Sequence, residues 1–148
     1  APIGNLIIYG TIITYHQDGV RANEARTWER HRKAVSDVVA DCQRLASQYP
    51  DVHLVLAGDF NMNLDGTDWY GDSAARSGLL EGLAEAGLVC HTREDIRETR
   101  GADRANIDHI WSSERLKATA PPIIWCEHKA EPGRLSDHNG IAVDLGLI

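Results

Sequence analysis

The chain has 148 residues, enough for one domain with a buried core, and its 43% hydrophobic and 25% charged content is that of an ordinary globular protein. No apolar run reaches the length of a membrane span, and the opening Ala1-Pro2-Ile3-Gly4-Asn5 has no basic signal-peptide pattern, so a cytoplasmic location is expected. The balance of 15 basic against 22 acidic side chains, −7 net, argues against tight nonspecific binding to nucleic acid, although a bound divalent cation would reverse the local sign at a phosphate site. Cys42, Cys90 and Cys126 lie far apart in or beside apolar segments. They read as core thiols in a reducing compartment rather than as a disulfide framework or a zinc site.

Asn5 to Thr14 is rich in β-branched residues and predicts a strand buried on both faces. Thr14-Tyr15-His16-Gln17-Asp18-Gly19 then leaves the sheet, placing Tyr15 and His16 at its end. From Asn23, a potential cap, to Tyr49 the pattern is helical, with Trp28, Val35, Val38, Val39, Cys42, Leu45 and Ala46 forming an apolar stripe. His31 borders that stripe and carries no assigned function, and Pro50 ends the helix. Asp51 to Ala57 predicts the second strand, opening onto Gly58-Asp59-Phe60-Asn61 and a polar loop to Asp72. Ser73 to Ala86 predicts a shorter helix stopped by Gly87, and Leu88-Val89-Cys90 a brief strand. His91 to Arg104 reads as a mobile loop whose Arg93, Arg97, Arg100 and Arg104 are interspersed with acids, a self-paired pattern. Asn106 to Trp111 alternates as a half-buried strand does. Ile123 to Cys126 follows a Pro-Pro break, Glu127 to Leu135 reads as a loop, and Gly140 to Leu145 forms a last strand. Strands alternating with two helices predict an α/β (α+β) sandwich.

Three polar motifs sit at strand ends: Asp59 with Asn61, Asp108 with His109, and Asp137 with His138. Singly, each is commonplace, and Gly58-Asp59-Phe60-Asn61 alone reads more readily as a plain strand-to-turn junction. Together they hold what hydrolysis of a phosphate ester needs: carboxylates for a divalent cation, a base for water, an amide donor for phosphate and a histidine to donate a proton. A separate feature is Asn61-Met62-Asn63-Leu64-Asp65-Gly66 followed by Asp72. It approximates a calcium loop, although Asn replaces the first Asp and Asp the final Glu. A Ca²⁺-binding module at 61–72 is therefore an alternative of a different class.

The order Gly58-Asp59-Phe60-Asn61, Ile107-Asp108-His109-Ile110, Ser136-Asp137-His138 resembles the endonuclease/exonuclease/phosphatase superfamily, which includes DNase I, apurinic endonucleases, neutral sphingomyelinases and inositol polyphosphate 5-phosphatases. The resemblance covers nearly the whole chain but only the C-terminal half of the family's two-sheet, four-layer fold. It implies a mixed sheet with flanking helices and a metal-dependent phosphoesterase, with Mg²⁺ as cofactor and Mn²⁺ or Ca²⁺ as substitutes. Asp59 would handle the attacking water's proton, Asn61 would orient a phosphate oxygen, and Asp108 would orient His138, which stabilises the pentacovalent phosphate. Asp137 would be a metal ligand or support one, alongside Asp59. The family's phosphate-contacting Tyr or His falls on Tyr15 or His16, with a slight preference for His16, and His109 would be an outward-facing neighbour.

The family's earlier Asn and its Glu metal ligand have no counterpart in this chain. The expectation is a fragment lacking its N-terminal part, with weak metal binding and low activity in isolation. A homodimer, or substitution by Glu24, Asp18 or Asp65, are the other routes to a complete site. A catalytically incomplete domain with a binding role is the remaining alternative. The substrate would be a nucleic acid, a nucleotide or a lipid or inositol phosphate, with Trp69 and Tyr70 available either to stack on a base or sugar or to pack their loop.

Overall fold

The structure, a computed structural model, describes residues 4–125 and 136–147. The loop expected at Glu127 to Leu135, together with Cys126, lies outside them. Among the described residues, strands and helices alternate as far as the third helix, and a run of five strands follows. β1 (Leu6–Ile12), β2 (His53–Asp59), β4 (Asp108–Ser113) and β3 (Leu88–Cys90) make one mixed sheet in the order β1-β2-β4-β3. β1 and β2 are parallel; the other pairs are antiparallel. Two ribbons flank it: β5 (Leu116–Ala118) with β8 (Leu145–Leu147), and β6 (Ile123–Trp125) with β7 (Gly140–Ala142). The last strand expected from sequence is thus divided between two ribbons.

Both long helices cover the same face of the sheet. α1 (Glu29–Gln48) presents Val35, Val38 and Cys42, and α2 (Ser73–Glu85) presents Leu79 and Leu83, to Leu54, Leu56, Leu88 and Trp111. These form one apolar core, stabilised by removal of its surface from water. Burial lifts the Cys42 thiol to about 11, in keeping with a core thiol. Gly82 lets the helices close, since a Cβ there would lie 2.3 Å from Val39 Cγ1. Asp72 caps α2, its Oδ1 accepting from the Ala75 N–H at 2.9 Å.

α1 begins at Glu29, six residues after Asn23, where the helical pattern is expected to begin. Asn23 and Trp28 take left-handed φ values of 56° and 66°, so 17–27 is spent in successive turns and Asn23 caps nothing. The segment expected as a mobile loop contains α3 (Ile96–Arg100), capped by Asp95 and anchored by buried Ile96.

β1 differs most from expectation. Its residues alternate, and the side away from the helices is open: Ile8 is 72% and Ile12 82% exposed. Among the described residues, only one face has helices to cover it. The register places Leu6, Ile8, Gly10 and Ile12 of β1 beside His53, Val55, Ala57 and Asp59 of β2 on this open face, and continues to Ile110 and Asp108 of β4. An apolar sheet face ending in two carboxylates is therefore turned outward.

Candidate active site

Parallel pairing of β1 and β2 brings both C-terminal ends to one edge, and β4 starts there. Asp59 closes β2 directly opposite Asp108, the first residue of β4. Gly58 makes the close approach possible. Its φ is 151°, and a Cβ would fall 1.8 Å from the Thr11 carbonyl oxygen. Beyond Asp59 the chain turns inward at Phe60, which is wholly buried. Asn61 then adopts a left-handed φ of 47°, a conformation that asparagine tolerates.

Asn61 holds Asp59 in place. Its main-chain N–H donates to Asp59 Oδ1 at 2.7 Å, and its amide nitrogen donates to Asp59 Oδ2 at 3.0 Å and to the Ile13 carbonyl at 2.8 Å. Both amide hydrogens are thereby committed, so contact with a phosphate oxygen requires exchanging one of them.

Across the strand pair, Asp108 is framed by buried Asn106, which accepts from the Asp108 N–H at 3.2 Å and donates to its carbonyl. His138, arriving from the segment before β7, donates from Nδ1 to Asp108 Oδ2 at 2.8 Å. Asp59, Asp108 and His138 each offer one ligand atom within 4.8 Å of the others. Burial raises the Asp108 pKa; the His138 hydrogen bond and charge oppose this, and the Asp59 and Asp137 charges add to it. For His138, burial acts downward, but the Asp108 hydrogen bond and the charges of Asp108, Asp59 and Asp137 prevail, and its pKa is raised. The upward shift at His138 moves the pair towards an imidazolium held by a carboxylate.

This donor set fits a divalent cation. Two hard oxygen donors face each other across one strand pair, and their mutual repulsion is what such an ion relieves. The carboxylates of Asp59 and Asp108 would hold it, while His138 is already engaged through Asp108. Asp137 stands apart: its side chain is 74% exposed, with Oδ1 4.0 Å from His138 Nε2. An open cleft of about 270 Å³ beside the cluster is lined by Ala57, Gly58, Asp108, Ile110, Asn139 and Ile141 among others.

Tyr15 and His16 follow β1 at the same edge. The Tyr70 hydroxyl lies 2.9 Å from His16 Nδ1. If Tyr70 donates there, the ring proton is placed on Nε2, where it can be given to a phosphate oxygen. Burial raises the Tyr70 pKa, the His16 contact opposes this, and the charges of Asp59 and Tyr15 add to it, placing Tyr70 within electrostatic reach of both. Tyr15 is half-exposed, edge-on to His16 at 5.8 Å between ring centroids. The sequence holds no signal for the Tyr70–His16 pairing, which spans 54 residues.

His109 corrects an expectation. It is not outward-facing but 1% exposed. Asp108 takes the open face of β4, so the next residue must point into the helix-covered core. Its Nε2 donates to the Met62 carbonyl at 3.0 Å, and the Thr92 hydroxyl lies 3.1 Å from Nδ1. Burial drives its pKa down to about 4. From α1, fully buried His31 donates from Nε2 to the Phe60 carbonyl at 3.2 Å, and burial lowers its pKa too. Two neutral imidazoles thus hold the carbonyls on either side of Asn61. The position of His31 on an apolar stripe was the available signal.

The calcium-like loop is braced by hydrogen bonds to Asp65 Oδ1 and Asn63, while buried Asp65 Oδ2 has Arg97 at 3.9 Å. Asn63 donates to Asp65 Oδ1 at 2.6 Å and to the Thr67 carbonyl at 2.9 Å. Asp72 is occupied in capping α2 and pairing with Arg32 at 2.8 Å. Arg97 and Arg100 pair with Asp95 at 3.3 Å and Glu94 at 3.0 Å, as their self-paired pattern predicts.

A one-sided mixed α/β sheet with this edge is what the resemblance to the DNase I-like superfamily implies. The sequence profile of the endonuclease–reverse transcriptase family matches residues 20–142, and the chain belongs to that family. No curated protein matches it. Among solved structures, the endonuclease domain of TRAS1, a telomere-specific non-LTR retrotransposon, is similar at 22% identity and a TM-score of 0.47; the match covers 76% of this chain and 52% of that one. The chain thus spans about half the length of that structure. No described helix is long and apolar enough to cross a membrane.

Proposed function

We propose that the chain is the water- and phosphate-handling part of a metal-dependent endonuclease domain, hydrolysing a phosphodiester of nucleic acid. The observation that carries this is the meeting of Asp59, Asp108 and His138 within 4.8 Å at the end of the sheet. Family membership supports nucleic acid over the other phosphate esters. A bound Mg²⁺ would supply Lewis-acid polarisation of the phosphoryl group. Asp59, fixed by Asn61, orients the attacking water and accepts its proton. Protonated His138, held by Asp108, donates to the phosphorane oxygens. His16 supplies a second donor through Nε2. Asp137 supports the ion from the rim.

The open apolar face beside the cluster supports a further part of the proposal: residues 1–148 are one portion of the domain, and a preceding segment of the same protein packs on that face. The test is cleavage of plasmid DNA and of a small phosphodiester, with Mg²⁺ or with chelator. Both the chain and a longer product carrying the upstream reading frame are assayed. The expected result is low activity for the chain and chelator-sensitive cleavage by the longer product, lowered about 10³-fold by Asp59→Asn or His138→Ala. Cleavage indifferent to chelator and to both substitutions overturns the catalytic assignment. Robust Mg²⁺-dependent hydrolysis by the monomeric chain overturns the claim of incompleteness.

A further inference from the structure

We propose that Trp69 is a nucleobase-stacking residue that sets the position of a nucleic-acid strand beside the hydrolytic edge; this rests on the nucleic-acid reading above. Trp69 is 41% exposed, although it sits on a loop that is otherwise tied down. The ties are numerous. Fully buried Asn63 receives the Tyr70 N–H at 2.8 Å, and Arg76 Nε donates to the Asn63 carbonyl at 2.9 Å. Asp65 Oδ1 accepts from the Thr67 N–H at 2.9 Å, and Arg97 donates to the Thr67 hydroxyl at 2.8 Å. This polar interior fixes the backbone on both sides of the indole.

The indole itself is braced. The Arg97 guanidinium carbon lies 5.9 Å from its ring centroid, and the Tyr70 ring 6.1 Å away at a steep angle. Tyr70 in turn meets His16 ring to ring at 5.7 Å, besides its hydroxyl contact. An aromatic series therefore runs from His16, at the phosphate edge, through Tyr70 to an exposed indole. A large aromatic kept in place before the ligand arrives loses little freedom on binding, which is what a stacking platform requires. Charge does not explain the surface. Arg76 pairs with exposed Asp68 at 3.0 Å and Arg97 with Asp95 at 3.3 Å, so the exposed ring stands among paired charges. Stacking on such a ring is tolerant of base identity.

The test compares binding of a labelled oligothymidylate and an abasic oligonucleotide of equal length by the full chain, using fluorescence anisotropy with Ca²⁺ present to suppress cleavage. The expected preference for the base-bearing strand is about tenfold. Trp69→Ala should bring the ratio close to one without changing affinity for the abasic strand, and Trp69→Phe should keep most of the preference. Far-UV circular dichroism confirms that both variants are folded. A ratio unchanged by Trp69→Ala, or equal binding of both strands by the wild type, overturns the stacking role while leaving the nuclease reading intact. Binding of neither strand, by the chain and by the longer product carrying the upstream reading frame, overturns both.

Discussion

The two faces of the central sheet are made of similar residues and meet different fates. On one, Leu54, Leu56 and Trp111 vanish beneath α1 and α2. On the other, Ile8 and Ile12 stand in solvent, and the strands end in Asp59 and Asp108. The covered face holds the fold together, whereas the open face carries the proposed site at its edge. The two are joined by single residues. Neighbours Asp108 and His109 point to opposite sides, so the imidazole that steadies the turn from within is one peptide away from the carboxylate that orients His138.

This contrast can be broken or sharpened experimentally. The largest effect is expected at the covered face: Leu56→Ala, at a fully buried site, should lower unfolding free energy by about 4 kcal/mol in urea titrations. A loss below about 1 kcal/mol would mean the helices do not seal that face. Next comes acid. His31 and His109 have pKa values lowered by burial, so the unfolded chain takes up protons first as pH falls. Stability should be full above about pH 6.5 and decline towards pH 4, with His109 alone contributing about 3 kcal/mol. The check is a series of chemical denaturations in chelator. A flat profile across that window would show that neither ring is buried neutral.

Smaller effects come from the rim of the covered face and from the open one. Removing the α2 cap with Asp72→Ala should cost about 1 kcal/mol, and Asp72→Asn appreciably less. Ile8→Ser on the open face should change the stability of the chain by less than about 0.5 kcal/mol while reducing self-association in sedimentation. A large destabilisation there would mean that the face is already covered in the isolated chain. In a longer product with the upstream segment attached, the same substitution should become costly, and that reversal is the sharpest test of what the face is for.

Much of the proposed site is legible in the sequence. Asp59, Asp108 and His138 stand at strand ends, where buried backbone gives way to solvent, and their order points to phosphate chemistry. The covered stripe of α1 was legible through Val35, Val38 and Cys42. Its start was not, because Asn23 and Trp28 adopt left-handed conformations that an apolar period does not record. α3 escaped notice because five residues are too few to show a period, and its stability comes from Asp95 and buried Ile96.

Strands, amphipathic helices and polar groups at strand ends are all readable from the order of the residues. These follow from local periodicity and side-chain type. Only the tertiary structure decided which face of β1 is covered, that Asp59 lies opposite Asp108, that His109 turns inward, and that Tyr70 reaches His16. Alternation dictates that adjacent side chains take opposite faces but not which face finds a partner. That choice is made by contacts between segments distant in sequence, such as helices folding over one side of the sheet and leaving the other open.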